Sequence, residues 1–259
     1  MQVCFTSNAD GVRWAWTEGL REIALASEHE QPQADLGAPL PWPPYDVRDG
    51  QVERLLSFLH RYVARHSTPI RSGQTLRYGW TLLRAEAPGA EGGQERLILQ
   101  ELAAPFAQDD TTFVEGIACA VELLAMQEAT IARTRITGTA EHPHRSDTIL
   151  VCSHVDPSGG TLLTLSRQAL TDRRFHYCGW LAGCQDRTHD HDDPDHVRGV
   201  NLSRLVARYT WIFPYLGMPA GTTIQQDGAR VVVFRPDERR GYIDDTAPFI
   251  LPLASPDHS

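Results

Sequence analysis

Along residues 49–66 apolar side chains return every third or fourth position: Val52, Leu55, Leu56, Leu59, Tyr62 and Val63, with Arg54, Arg61 and Arg65 on the other side. That period predicts an amphipathic helix with one buried stripe. A second helical period runs to about Arg133, through Val114, Ile117, Ala118, Val121, Leu124, Ala125 and Ile131. The stretch Asp109-Asp110-Thr111-Thr112 offers the capping oxygens for its start. Glu115 and Glu122 read as its solvated side, with a catalytic carboxylate pair as the sharper alternative. At the N-terminus, residues 1–7 read as a strand, and Val12, Trp16, Leu20 and Ile23 as one face of a helix capped by Asn8 or Asp10.

Strand patterns alternate with these. Residues 75–85 and 95–103 are β-rich on either side of the Gly-rich connection 88–93, which predicts a hairpin. Further strands are expected at 148–154, 161–165 and 173–181, then a short helix at 201–209 and two strands joined at Asp227-Gly228. The Pro-rich stretch 31–45 predicts an extended connection, because each proline removes a donor and biases its neighbour away from helix. Residues 137–147 (TGTAEHPHRSD) are polar and aperiodic and predict a linker. The pattern is α+β: two α+β domains, residues 1–146 and 147–259, each an antiparallel sheet with packed helices.

Charge narrows the partners. Residues 1–146 hold 13 Arg against 19 Asp and Glu, and residues 147–259 hold 11 against 14, so both halves are acidic. This argues against nucleic acid and for a cationic partner. All basic residues are Arg, with no Lys, which coding bias explains more simply than function. Cys4, Cys119, Cys152, Cys178 and Cys184 are scattered without framework spacing, as expected of reduced thiols in a cytoplasmic protein. Neither a signal peptide nor an apolar run long enough for a membrane span is evident, so no membrane partner is expected.

Candidate chemistry concentrates in the run His189-Asp190-His191-Asp192-Asp193-Pro194-Asp195-His196. Imidazoles and carboxylates are standard metal ligands, and Cys178 and Cys184 are near in sequence. Ligands crowded into one loop are not aimed at a common point, and the loop lacks the Gly and Glu of a calcium-binding loop. A solvated acidic loop is therefore expected before a protein-binding surface, and either before a metal site. His142 and His144 flank Pro143 without a third ligand, and Cys152 and His154 share a strand face, again without one. No nucleophile elbow or phosphate-cradling loop is present. Trp180, Trp211 and Phe213 read as core before platform.

Residues from about 149 to 234 resemble the small domain of bacterial polymorphic-toxin and type VI effector immunity proteins, once grouped as a domain of unknown function. Four pieces carry the likeness: a strand with Val151-Cys152-Ser153; the strand end Gly179-Trp180 to Gly183; the acidic loop with Asp193-Pro194 before Val197 and Val200; and Leu205 followed by Pro214-Tyr215-Leu216, Pro219 and Gly221. The first 146 residues lie outside it. The resemblance implies an α+β domain that binds and neutralises a cognate toxin, has no catalysis of its own and needs no cofactor. An acidic inhibitor suits a basic toxin such as a nuclease. Asp190, Asp192, Asp193, Asp195 and Trp180 are the expected partner-binding residues. The rivals are a metal-dependent hydrolase using the loop from His189 to His196, and an adaptor or chaperone that carries an effector.

Overall fold

A computed structural model describes residues 2–8, 11–17, 49–87, 97–107, 111–155, 161–169, 176–186, 193–227, 230–235 and 242–244. The fold is α+β, as the alternating patterns predict. The chain divides into two compact units: Met1–Pro105 with Asp109–Met126, and Phe106–Gln108 with Gln127–Ser259.

The first unit begins with β1 (Gln2–Asn8) and β2 (Gly11–Thr17), paired antiparallel with Asn8 opposite Gly11. The expected helix over Val12 and Trp16 is therefore a strand. Val12, Trp14 and Trp16 also alternate at period two, and Asp10-Gly11 is turn chemistry, so the hairpin reading wins. Helix α1 (Asp49–His66) matches its expected span and buries Leu55, Leu59 and Val63. Next come β3 (Thr75–Tyr78), β4 (Thr81–Glu86) and β5 (Leu97–Leu102). What the pattern presents as one strand over 75–85 turns back on itself at Gly79, whose φ of 53° suits a residue without a side chain. β6 (Phe113–Glu115) pairs with β5, and the sheet order is β2-β1-β5-β4-β3 with β6 on β5. Leu76, Tyr78, Leu83, Ala85, Leu97 and Leu99 pack with the α1 stripe in one core. Each such fully buried aliphatic chain contributes about 1.5–3 kcal/mol of transfer free energy.

Helix α2 (Ala118–Thr134) starts later than the cap signal at 109–112 suggests. Thr112, Phe113 and Val114 favour extended backbone, and Gly116 sits at φ 131°, which ends that strand before the helix begins. The real cap comes from far along the chain. Buried Glu101 on β5 accepts from Cys119 N at 3.2 Å and from Ala120 N at 2.6 Å. A carboxylate there satisfies two of the orphan amides of the first turn and complements the helix dipole.

The second unit has seven strands among the described residues: β7 (Thr148–Cys152), β8 (Leu163–Arg167), β9 (Tyr177–Cys184), β10 (Val197–Asn201), β11 (Thr223–Asp227), β12 (Arg230–Phe234) and β13 (Tyr242–Asp244). Their order is β10-β7-β9-β8-β11-β12-β13. All neighbours are antiparallel except β7 and β9, so the expected wholly antiparallel sheet contains one parallel pair. Helix α3 (Leu202–Arg208) opens at Asn201, whose Oδ1 accepts from Ser203 N at 2.9 Å. A 3-10 turn follows at Thr210–Tyr215.

The expected linker at 137–147 is exposed over 137–140 but packed at its centre. Pro143, His144 and Arg145 are buried, and Asp147 accepts from His144 N at 2.8 Å. Arg145 N–H groups donate to Ala107 O, and its carbonyl accepts from Ser203 N at 3.0 Å. Gly138, at φ 138°, lies so close to Pro219 that an added Cβ would come within 2.8 Å of the ring. Arg145 is thus satisfied by non-local partners, while residues 137–140 and Ser146 stay exposed to water. Among the described residues no helix is long and apolar enough to cross a membrane.

Candidate functional site

β7 and β9 run parallel, with Val151 opposite Ala182, so they deliver Cys152 and Cys184 to the same end of the sheet. The two sulfurs lie 4.0 Å apart, with the cysteines 1 % and 5 % exposed. After β7 the chain turns, with Val155 N donating to Cys152 O at 3.0 Å, and this turn carries the exposed His154 back over the thiols. One ring nitrogen of His154 and both sulfurs fall within 4.8 Å of one another.

The end of the acidic loop closes over the same place. Ser153 N donates to His196 O at 2.8 Å, and Val197 at the start of β10 pairs with Cys152. The His196 ring lies 6.1 Å from that of His154, centroid to centroid. Asp193 caps the short 3-10 turn Pro194–His196, its Oδ1 accepting from Asp195 N at 2.9 Å and its Oδ2 lying 3.9 Å from His196 Nδ1. Asp195 is exposed.

Burial raises the Cys184 thiol above the ordinary range; the Asp186 amide, hydrogen-bonded to that sulfur, opposes the rise, and Cys152 adds to it. Cys178, although close in sequence, is separate: it is buried, and desolvation pushes its thiol up to about 12, as befits a core residue. His142 and His144 do not come together as ligands. His142 Nδ1 is 2.8 Å from Gln127 Oε1, and His144 Nδ1 is 2.7 Å from Ser146 Oγ.

Of the residues expected to meet a partner, Asp193 and Asp195 lie at this sheet end, while Asp190 and Asp192 lie outside the described residues. Trp180 is corrected: it is fully buried, and its indole N–H donates to Leu216 O at 2.9 Å. It ties β9 to the segment after the 3-10 turn and is out of a partner's reach. What the sequence does not reveal is that Cys184, noted there only as near the acidic run, is the third member of the cluster with Cys152 and His154. Only the parallel pairing of β7 with β9 joins them, and nothing local announces it.

Buried Arg167 on β8 forms a second polar centre in this unit. Its guanidinium donates to Cys178 O, pairs with Glu141 at 3.0 Å and stands 5.4 Å from the Trp180 ring centre. Backbone bonds of 2.8 Å from Arg167 N to Thr222 O and from Gly221 N to Arg167 O fasten the same strand to the Pro219–Gly221 turn. Comparison with known proteins returns no matching family model, no matching curated protein and no matching solved structure.

Proposed function

We propose that this chain is an immunity protein that binds a cognate antibacterial toxin and neutralises it by occlusion or by locking its conformation, with no reaction of its own. One observation carries the reading: the sequence pieces that resemble immunity domains adjoin one another in a single fold. The Gly179-Trp180 strand end bonds to the Pro214–Gly221 stretch through Trp180 and Leu216, and Val151-Cys152 pairs with the strand that follows Asp193-Pro194. The acidic balance and the solvent-facing Asp195 suit a basic toxin such as a nuclease, for which complementary charge speeds association.

Such a protein acts in the cytoplasm of the toxin-producing cell, against a toxin encoded beside it. The test is co-expression with the products of the genes that neighbour its own. Protection of growth and a stable complex on gel filtration are expected. Absence of both binding and protection, with the chain folded by circular dichroism, overturns the reading.

A further inference from the structure

We propose that Cys152, His154 and Cys184, with His196 as fourth donor, form a binding site for a thiophilic divalent cation, zinc by the character of the donor set. Two thiolates and two imidazoles are a common tetrahedral zinc set. In that geometry two sulfurs at about 2.3 Å from the ion stand about 3.8 Å apart. The observed 4.0 Å matches this, whereas a disulfide requires about 2.05 Å. Two imidazoles on one such ion have ring centres about 5 Å apart. The 6.1 Å between His154 and His196, an exposed and a half-buried ring, has to close by about 1 Å for His196 to join the three clustered donors.

The backbone also reaches both sulfurs. His154 N lies 3.4 Å from Cys152 Sγ, and the Asp186 amide is hydrogen-bonded to Cys184 Sγ. Each cysteine thus receives an amide from the residue two places on, which fixes where its sulfur sits. The donors also come from rigid places: two strand ends, the turn after β7, and the residue before β10. This differs from the expectation for the His189 to His196 loop taken alone, where ligands lack fixed directions. An ion here links the carboxyl ends of β7 and β9 to the acidic loop and fixes Asp193 and Asp195 relative to the sheet.

The test uses the full chain without a histidine tag, purified with reductant, stripped of metal and titrated with Co²⁺ and then Zn²⁺. One equivalent of cobalt should bind, with thiolate-to-cobalt charge-transfer absorption and the intense visible bands of a tetrahedral site, and zinc should displace it. His154→Ala, at an exposed position, should weaken cobalt binding at least tenfold while keeping the charge-transfer absorption. Cys184→Ser should remove much of that absorption; should this variant fail to fold, the His154→Ala and His196→Ala titrations decide. Cobalt bound without thiolate absorption points to other ligands and overturns the site. So does affinity unchanged in both histidine variants, or a Cys152–Cys184 disulfide in protein isolated under reducing conditions.

Discussion

In the first unit β5 turns the carboxylate of Glu101 inward, beneath the N-terminus of α2. In the second, β8 turns the guanidinium of Arg167 inward, against Trp180. Both charges are buried, and their partners differ in kind. Glu101 is met by backbone amides of the helix it caps, donors that the fold itself fixes. Arg167 is met by a carbonyl, an aromatic face and the half-exposed Glu141. Its stabilisation therefore rests on several long-range contacts that must all be in register. The first unit's charge belongs to a closed scaffold. The second unit gathers its polar groups around a sheet whose parallel pair leaves two strand ends side by side, and there the thiols and imidazoles collect.

The largest expected effect follows from that difference. Arg167→Met takes from the buried Cys178 carbonyl, and from Glu141, the guanidinium that each meets. Removing one member of a buried pair costs about 3–5 kcal/mol, and the exposure of Glu141 sets the expectation at about 3 kcal/mol, read by urea unfolding. Glu141→Gln should cost less than about 1 kcal/mol, because that carboxylate keeps much of its water. A loss at Arg167 smaller than that at Glu101 breaks the comparison.

Glu101→Ala should cost about 2 kcal/mol, from a lost cap and two buried amides left without acceptors. Glu101→Gln keeps an acceptor and should cost about 1 kcal/mol. The pH dependence sharpens this. Burial raises the Glu101 carboxyl, while the amides of Ala120, Cys119 and Ala118 pull it down. The folded state therefore holds a proton that the unfolded chain has released, between the ordinary carboxylate value and the raised one. Stability falls as pH rises through that window, and wild type should gain on Glu101→Gln as pH is lowered from neutral. Glu122 is raised by burial first and by Glu101 second, so the variant should also titrate Glu122 closer to its ordinary range.

Trp180→Phe comes next, at about 1 kcal/mol for the lost bond to Leu216 O, with most of the ring's burial kept. A loss confined to the second unit's transition would show that the two units unfold separately.

What the sequence made legible was what local chemistry decides. The α1 stripe, the strand containing Trp180 and the hairpin at Asp227-Gly228 follow from period and turn residues, and all three are found. The start of α2 was not legible, because its cap is Glu101, seventeen or more positions upstream in another strand. Residues 137–147 read as linker because their polar side chains look solvated, whereas Arg145 is held inside by Ala107 O and Ser203 N. The site shows the same division. Cys152 and His154 are visible as a pair two residues apart; Cys184 and His196 join them only through the strand order. Asp193 was legible as acidic loop, and its capping of the 3-10 turn was not.

The smallest expected effect on stability comes from replacing Asp190, Asp192, Asp193 and Asp195 together by Asn. Asn keeps an acceptor for the Asp195 amide, so the 3-10 turn survives, and the unfolding free energy should move by no more than about 0.5 kcal/mol.

The affinity of that same variant for the toxin is the most direct test of the central claim. Binding of the quadruple variant and of wild type to the purified toxin, compared by calorimetry at low salt, isolates the loop's contribution. At least a tenfold rise in dissociation constant is expected, about 1.4 kcal/mol, with protection of toxin-expressing cells falling in parallel. Equal affinities would contradict the assignment of the acidic sheet end as the toxin-binding surface.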